Sequence, residues 1–232
     1  MKVFKFFVCI FLVASFLSLS SNISIAEENK WTRLVNTSGR VLQQVQQMPD
    51  EGIPADLLRS CEGIAIFPTT ISAGLGIGGK YGQGIIMVRD KRSHKWSPPA
   101  IFTIAGGSIG WQIGGQATDI VLLIMSRRSI NAILHGKIKL GADAAVSAGP
   151  VGRDAQAATD TQLGGILSYS RSKGLFAGIK LEGDVITEHW DGNEELYGKK
   201  LSAEDILVDK DAQMPACADD VLAVLKKYPY KK

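Results

Sequence analysis

The spacing of apolar residues changes character along this chain. Over residues 29–48 (NKWTRLVNTSGRVLQQVQQM), Trp31, Leu34, Val35, Val41, Leu42, Val45 and Met48 recur at intervals of three and four, with Lys30, Arg33, Arg40 and glutamines between them. That period predicts an α-helix with one apolar face, ended by Pro49. From Cys61 to about Met125 the apolar runs become short, β-branched and separated by glycines. Residues 64–67 stop at Pro68, residues 85–88 stop at a polar turn over 90–95, and 100–105 and 119–125 follow, which together predict four strands. A short helix is expected over 127–135, with Ser126 as its N-cap and Gly136 just past its end. Further strands are expected around 138–147, 163–170, 176–181 and 185–189. A last helix follows Pro215, with Asp219 and Asp220 early and Lys226 and Lys227 late, as the helix dipole prefers. Its apolar face is Val221, Leu222, Val224, Leu225 and Tyr228. Short strands joined by tight turns predict an α+β fold: a Gly-rich antiparallel β-sheet or barrel core with flanking N- and C-terminal helices.

The densest glycine stretch, GLGIGGKYGQG (74–84), fits two phosphate-binding templates. Gly74, Gly76 and Gly79 match G-x-G-x-x-G, and residues 74–80 match G-x-x-x-x-G-K. Both work by turning into a helix whose N-terminus faces phosphate. The sequence that follows, Lys80-Tyr81-Gly82-Gln83-Gly84-Ile85, does not favour a helix, and Tyr81 stands where a P-loop needs Ser or Thr. Glycines at 74, 76, 78, 82 and 84 instead recur at even positions, the geometry of a strand with one nearly bare face. Such a face permits sharp curvature, or close approach by backbone, helix or ligand. No nucleotide is expected. Gly106-Gly107-Ser108-Ile109-Gly110 likewise fits a nucleophile elbow, with Asp184 or another Asp and then His189 following in the order a serine hydrolase needs. The elbow must turn into a helix, and Trp111-Gln112-Ile113-Gly114-Gly115 argues against one, so hydrolase is the remote alternative to a non-enzymatic role. His94, His135 and His189 show no metal-ligand spacing. His135 reads as a helix C-terminal cap, and neither metal nor other cofactor is expected.

At the N-terminus, Lys2 and Lys5 precede an apolar run over 6–19, and Ser24 and Ala26 occupy the −3 and −1 positions of a cleavage site before Glu27. The run is short of the roughly 20 residues a membrane-spanning helix needs. Residues 1–26 are therefore expected to be a signal peptide, and 27–232 a single domain exported to the periplasm or cell exterior, free or membrane-associated. Without that segment's two lysines, 24 basic residues face 23 acidic ones, so no nucleic-acid partner is expected. Cys61 and Cys217 remain, either as a disulfide in an oxidising compartment or as two buried thiols.

Several longer stretches are more specific: CEGIAIFP (61–68), GGKYGQGIIMVRD (78–90), WSPPAIFTIAGGSIG (96–110), LGADAAVSAGPVGRDAQAA (140–158) and YSRSKGLFAGIKLEG (169–183), with Tyr197-Gly198 later. On these, from about Trp31 to Tyr228, the chain resembles the SYLF lipid-binding domain family, which includes yeast actin-bundling endocytic proteins and exported bacterial relatives. The resemblance implies binding of acidic lipids, phosphoinositides in eukaryotic members, partly through a basic amphipathic N-terminal helix. Here that is the helix over 29–48, with Trp31 at headgroup level and Lys30, Arg33 and Arg40 near phosphates, unless its stripe packs on the domain. A second basic cluster, Arg89, Lys91, Arg92 and Lys95, stands in the polar turn, where the family carries a more compact turn. Arg127 and Arg128 open a helix, where the dipole disfavours cations; a bound anion or an acidic side chain would relieve that. Arg153, and Arg171 with Lys173 before Gly174, lie in family-like turns that suggest shape more than ligand. For an exported chain, anionic glycerophospholipid or lipid A fits better than phosphoinositide. A structural role with an envelope protein partner is the alternative.

Overall fold

The computed structural model describes residues 29–48, 52–151, 165–172, 175–209 and 211–231. Residues 1–26, expected to be a signal peptide, together with Pro49, Arg153, Lys173 and Gly174, lie outside the described residues, as do 163 and 164 of one predicted strand. Helix α1 (Lys30–Gln46) forms where the three-and-four period placed it, its start capped by Asn29, whose side chain accepts from the Trp31 N–H at 2.9 Å. A short helix that the periodicity did not reveal, α2 (Ala55–Ser60), precedes the sheet.

The four strands expected between Cys61 and Met125 are two. Strand β1 (Gly63–Val88) has 26 residues and β2 (Ala100–Ile124) has 25, paired antiparallel from Gly63↔Ile124 to Ile86↔Ala100. Pro68 does not end β1 because it falls in a bulge: the register shifts between Phe67 and Thr70, Thr69 takes φ +51°, and its N–H donates to Asp119 Oδ1 at 2.9 Å. A bulge is where a strand tolerates a residue without an N–H. The glycine stretch is strand, as its period implied. Two of those glycines let β1 double back on itself. A Cβ on Gly84 would stand 2.7 Å from Phe67 Cα, and one on Gly82 would stand 3.0 Å from Thr70 Cβ.

The remaining strands are β3 (Lys137–Lys139), β4 (Val146–Ala148), β5 (Ile166–Ser172), β6 (Leu175–Gly178) and β7 (Val185–Glu188). They complete a curled seven-stranded sheet of order β3-β7-β2-β5-β4, with β1 on β2 and β6 on β5. The pairings are antiparallel except β4 with β5, which corrects the purely antiparallel expectation to a mixed sheet. Strand β2 is shared along its length: residues 102–105 pair with β7, and 119–124 pair with β5.

Both faces of this sheet are covered, which is why its strands read as unbroken apolar runs rather than alternation. Ile64, Ile66, Ile85, Met87, Ile101, Val121 and Leu123 face α1, α2 and the C-terminal helix α5 (Asp219–Leu225). Ala65, Phe67, Ile86, Phe102, Ile120 and Leu122 face the other way. There they meet α3 (Arg127–Leu134), β3 and the segment over 201–212, which includes a π-helical turn, Asp205–Asp209. Ser126 caps α3 and Gly136 follows it at φ +83°, both as expected. Helix α4 (Trp190–Tyr197) replaces the end of the predicted strand at His189, whose Nδ1 accepts from the Gly192 N–H at 3.0 Å.

Candidate functional site

The connection from β1 to β2 carries most of the predicted cations. Arg89 and Trp96 pair across its base, the Asp90 N–H donates to Lys95 O at 2.9 Å, and the Ser97 N–H donates to Val88 O at 2.8 Å. Asp90 organises the interior: its Oδ1 accepts from the N–H groups of Arg92 (3.0 Å) and Ser93 (2.7 Å) and from the Ser93 hydroxyl (2.9 Å). A carboxylate bonded to backbone two and three residues on is how an Asx turn fixes a reversal. Lys91, Arg92 and Lys95 are exposed on that fixed loop.

Arg89 does not join them at the surface. It is 3% exposed, and its guanidinium donates from Nε to Cys61 O at 3.1 Å and from Nη2 to Leu58 O and Tyr228 O, both at 3.0 Å. It also lies 4.3 Å above the Trp96 ring. Burial lowers its pKa, opposed by the neighbouring Cys61 and Glu62. Expected from sequence to meet lipid, Arg89 lies buried in this structure and ties α2, the turn and the C-terminal tail together.

That tie brings in cations the sequence reading did not assign here. Tyr230 stacks on His94 with ring centroids 4.0 Å apart, its hydroxyl donates to Glu62 Oε1 at 3.3 Å, and the Lys231 N–H donates to Arg59 O at 3.2 Å. Lys226, Lys227 and Lys231, all exposed, flank the two tyrosines that hold the tail against the turn. Periodicity assigned Lys226 and Lys227 to the helix dipole alone; the helix end they occupy leads directly into the tail whose Tyr228 and Tyr230 meet the turn. Arg127 meets Glu62 at 2.7 Å, so an acidic side chain relieves the cation at the start of α3, while Arg128 beside it is exposed.

The cations of α1 form a separate group. Its apolar stripe is docked: Trp31 is 3% exposed, donates from Nε1 to Glu195 Oε2 at 2.7 Å, and meets the His189 ring edge-on at 4.6 Å. Trp31 is therefore a core residue in this structure rather than a headgroup anchor. Lys30, Arg33 and Arg40 are exposed, with Lys30 Nζ 4.4 Å over the Trp31 ring and Arg40 bonded to Thr37. The C-terminal end of α1 reaches the tail, where Tyr228 donates its hydroxyl proton to Gln46 Oε1 at 3.0 Å. Sixteen residues of helix, about 24 Å, separate that end from Lys30, so Lys30 and Arg33 do not share the face built on the turn.

Cys61 and Cys217 are not joined by a disulfide. Cys61 is wholly buried, its Sγ–H donates to Leu58 O at 3.3 Å, and burial pushes the thiol up to about 12. The hydrolase constellation also falls apart. Ser108 continues in β2 opposite Gly78, Asp184 accepts from Lys80 Nζ at 2.7 Å beneath Gly106, and His189 caps α4. Among the described residues no group of three His, Cys, Asp or Glu side chains could hold a metal ion, and no helix is long and apolar enough to cross a membrane.

A model of the family described as Ysc84, Las17-binding protein actin regulator, matches residues 105–228. Protein YSC84 of Saccharomyces cerevisiae is 36% identical over 181 residues, covering 76% of this chain and 38% of that protein. LAS seventeen-binding protein 3 of the same yeast is 37% identical over 181 residues, covering 76% and 39%. SH3 domain-containing YSC84-like protein 1 of Rattus norvegicus is 33% identical over 185 residues, covering 79% and 54%. The chain thus spans between about two fifths and just over half the length of these relatives. No solved structure matches it.

Proposed function

Because the chain belongs to the Ysc84 (SYLF) family, we propose that it is an exported, non-enzymatic domain that binds anionic lipid surfaces peripherally. The observation that carries this reading is the turn over 89–95. Lys91, Arg92 and Lys95 are held out on a loop locked by Asp90 and Arg89, with the lysines of the tail beside them. Preorganised cations attract a negatively charged leaflet at about 1 kcal/mol each near the surface. Six such charges suffice for reversible attachment without an inserted tryptophan. Export rests on the apolar N-terminal segment and its small-residue cleavage pattern.

Co-sedimentation with vesicles tests the reading. The protein should pellet with phosphatidylglycerol-containing vesicles at low salt, stay in solution with phosphatidylcholine alone, and be released by high salt. Failure to pellet with anionic vesicles overturns it. The name of the yeast relative LAS seventeen-binding protein 3 favours a second reading, a protein-interaction module. Recovery of one stoichiometric protein partner, with no vesicle binding, would select that alternative.

A further inference from the structure

The middle of the β1–β2 ribbon has no role in the face described above. Both its ends meet near Arg89: the Glu62 N–H donates to Ile124 O, and the Arg89 N–H donates to Glu62 O, each at 2.8 Å. Gly79 is nine residues of strand from Val88, roughly 30 Å of chain. Over residues 106–118, β2 lies between its β7-paired and β5-paired parts, with β1 as its ladder partner, and β1 pairs with β2 alone among the described strands. Among the described strands, one backbone edge of β1 over 71–79 is therefore open in the ladder.

Nothing in the sequence guards that edge. Residues 71–79 and 105–118 contain no Asp, Glu, Lys, Arg or Pro, although charges and prolines are how edge strands avoid pairing. The flanking charges are neutralised within the fold, Lys80 by Asp184 at 2.7 Å and Asp119 by Arg171 at 2.6 Å. Large apolar side chains stand exposed at the base of the ribbon: Ile71 (55%), Tyr81 (54%) and Leu175 (74%). Leu175 belongs to this group through its pairing with Ser172, whose hydroxyl accepts from Gln116 Nε2 at 2.8 Å, next to the Ile71↔Ala117 pair. Around Gly79, Gly107 and Gly115 there is open space where a side chain would stand.

We infer that the outer edge of β1 over 71–79 pairs with the same edge of a second copy of this chain. A charge-free strip offers no complement to a charged lipid or protein. Its open N–H and C=O groups would each lose several kcal/mol in hydrocarbon, which argues against burial in a bilayer core. A second copy supplies an equally uncharged, equally open strand, and antiparallel pairing across a two-fold axis closes at two. Strand β1 is the pairing edge rather than β2 because, over 71–79, the ribbon's irregularity falls on β2. Gly76 pairs with Gly110 and Leu75 with Ile113, leaving Trp111 and Gln112 as extra residues, and such a bulge protects an edge.

Analytical ultracentrifugation of the purified protein between 1 and 100 µM tests this. The expected result is a dimer that Ile71→Lys or Ala73→Lys converts to half the mass, with the far-ultraviolet circular dichroism of the fold unchanged because both positions are exposed. The control Ala117→Lys, on β2, should leave the dimer intact. In hydrogen exchange, amides over 71–79 should gain protection with concentration. A monomeric parent at 100 µM, or dimers that survive both lysine substitutions, would overturn the inference. So would loss of dimerisation on binding neutral vesicles, which would make a bilayer the occupant.

Discussion

Arg89 shows how one residue type can be read correctly for chemistry and wrongly for place. Its charge in a polar turn suggested a surface contact, yet it satisfies three carbonyls from two segments distant in sequence, the end of α2 and the C-terminal tail. No local pattern separates it from Arg92, because the carbonyls it meets belong to residues 58, 61 and 228. Arg89→Leu should therefore destabilise the domain by about 3–5 kcal/mol, as expected when a buried charged partner is removed and its acceptors are left unmet. Urea unfolding measures this; a loss below 1 kcal/mol would mean that water replaces the guanidinium. Glu188 offers a second test. It is buried, accepts from Asn193 Nδ2 at 3.2 Å, and also accepts from the Ala203 N–H. Burial raises its pKa, the two donors oppose that, and Asp205 adds to it. A carboxyl with a raised folded-state pKa favours the fold when protonated, so its contribution declines as pH rises from about 4.5. Glu188→Gln keeps the acceptor and removes that decline. Its stability relative to the parent should rise between pH 4.5 and 7.5, read from urea midpoints at each pH.

At the level of elements, the helices with clear period were legible: α1, α3 and α5 lie close to their predicted ranges. The two long strands were seen only as fragments. Pro68 looked like a stop because the bulge that admits it depends on Asp119, 50 residues away. The glycines were correctly read as strand, but which of them the fold needs is a tertiary matter. Gly84→Ala should cost about 1–3 kcal/mol or more, since its Cβ would press on the backbone of the strand's own earlier pass. Gly107→Ala, in open space, should be neutral or slightly stabilising. Equal effects in thermal melts would show that the doubled-back ribbon does not exist in solution.

For the whole molecule, the cations proposed from sequence divide among the turn with its tail, the exposed side of α1 and the start of α3. Mutating Lys91, Arg92 and Lys95 together to Gln should lower affinity for anionic vesicles about a hundredfold, at about 1 kcal/mol per charge. The corresponding change at Lys30, Arg33 and Arg40 should alter it by less than about threefold. The reverse outcome would place the contact on the helix. Sequence alone listed both sets without separating them, because neither the docking of Trp31 nor the path of residues 228–231 has a local signature.

The meeting of both ribbon ends near Arg89 also has a kinetic consequence. Residues 63 and 124 pair across 61 positions, and closure of so long a loop belongs to the slow end of folding, milliseconds to seconds. The arginine can engage its carbonyls only after the strands have returned and the tail has arrived, so those contacts form on the native side of the barrier. In a chevron experiment Arg89→Leu should speed unfolding by about two to four decades while leaving the refolding rate nearly unchanged. The buried guanidinium would then act as a latch on the finished fold, governing how long the domain persists rather than how quickly it forms.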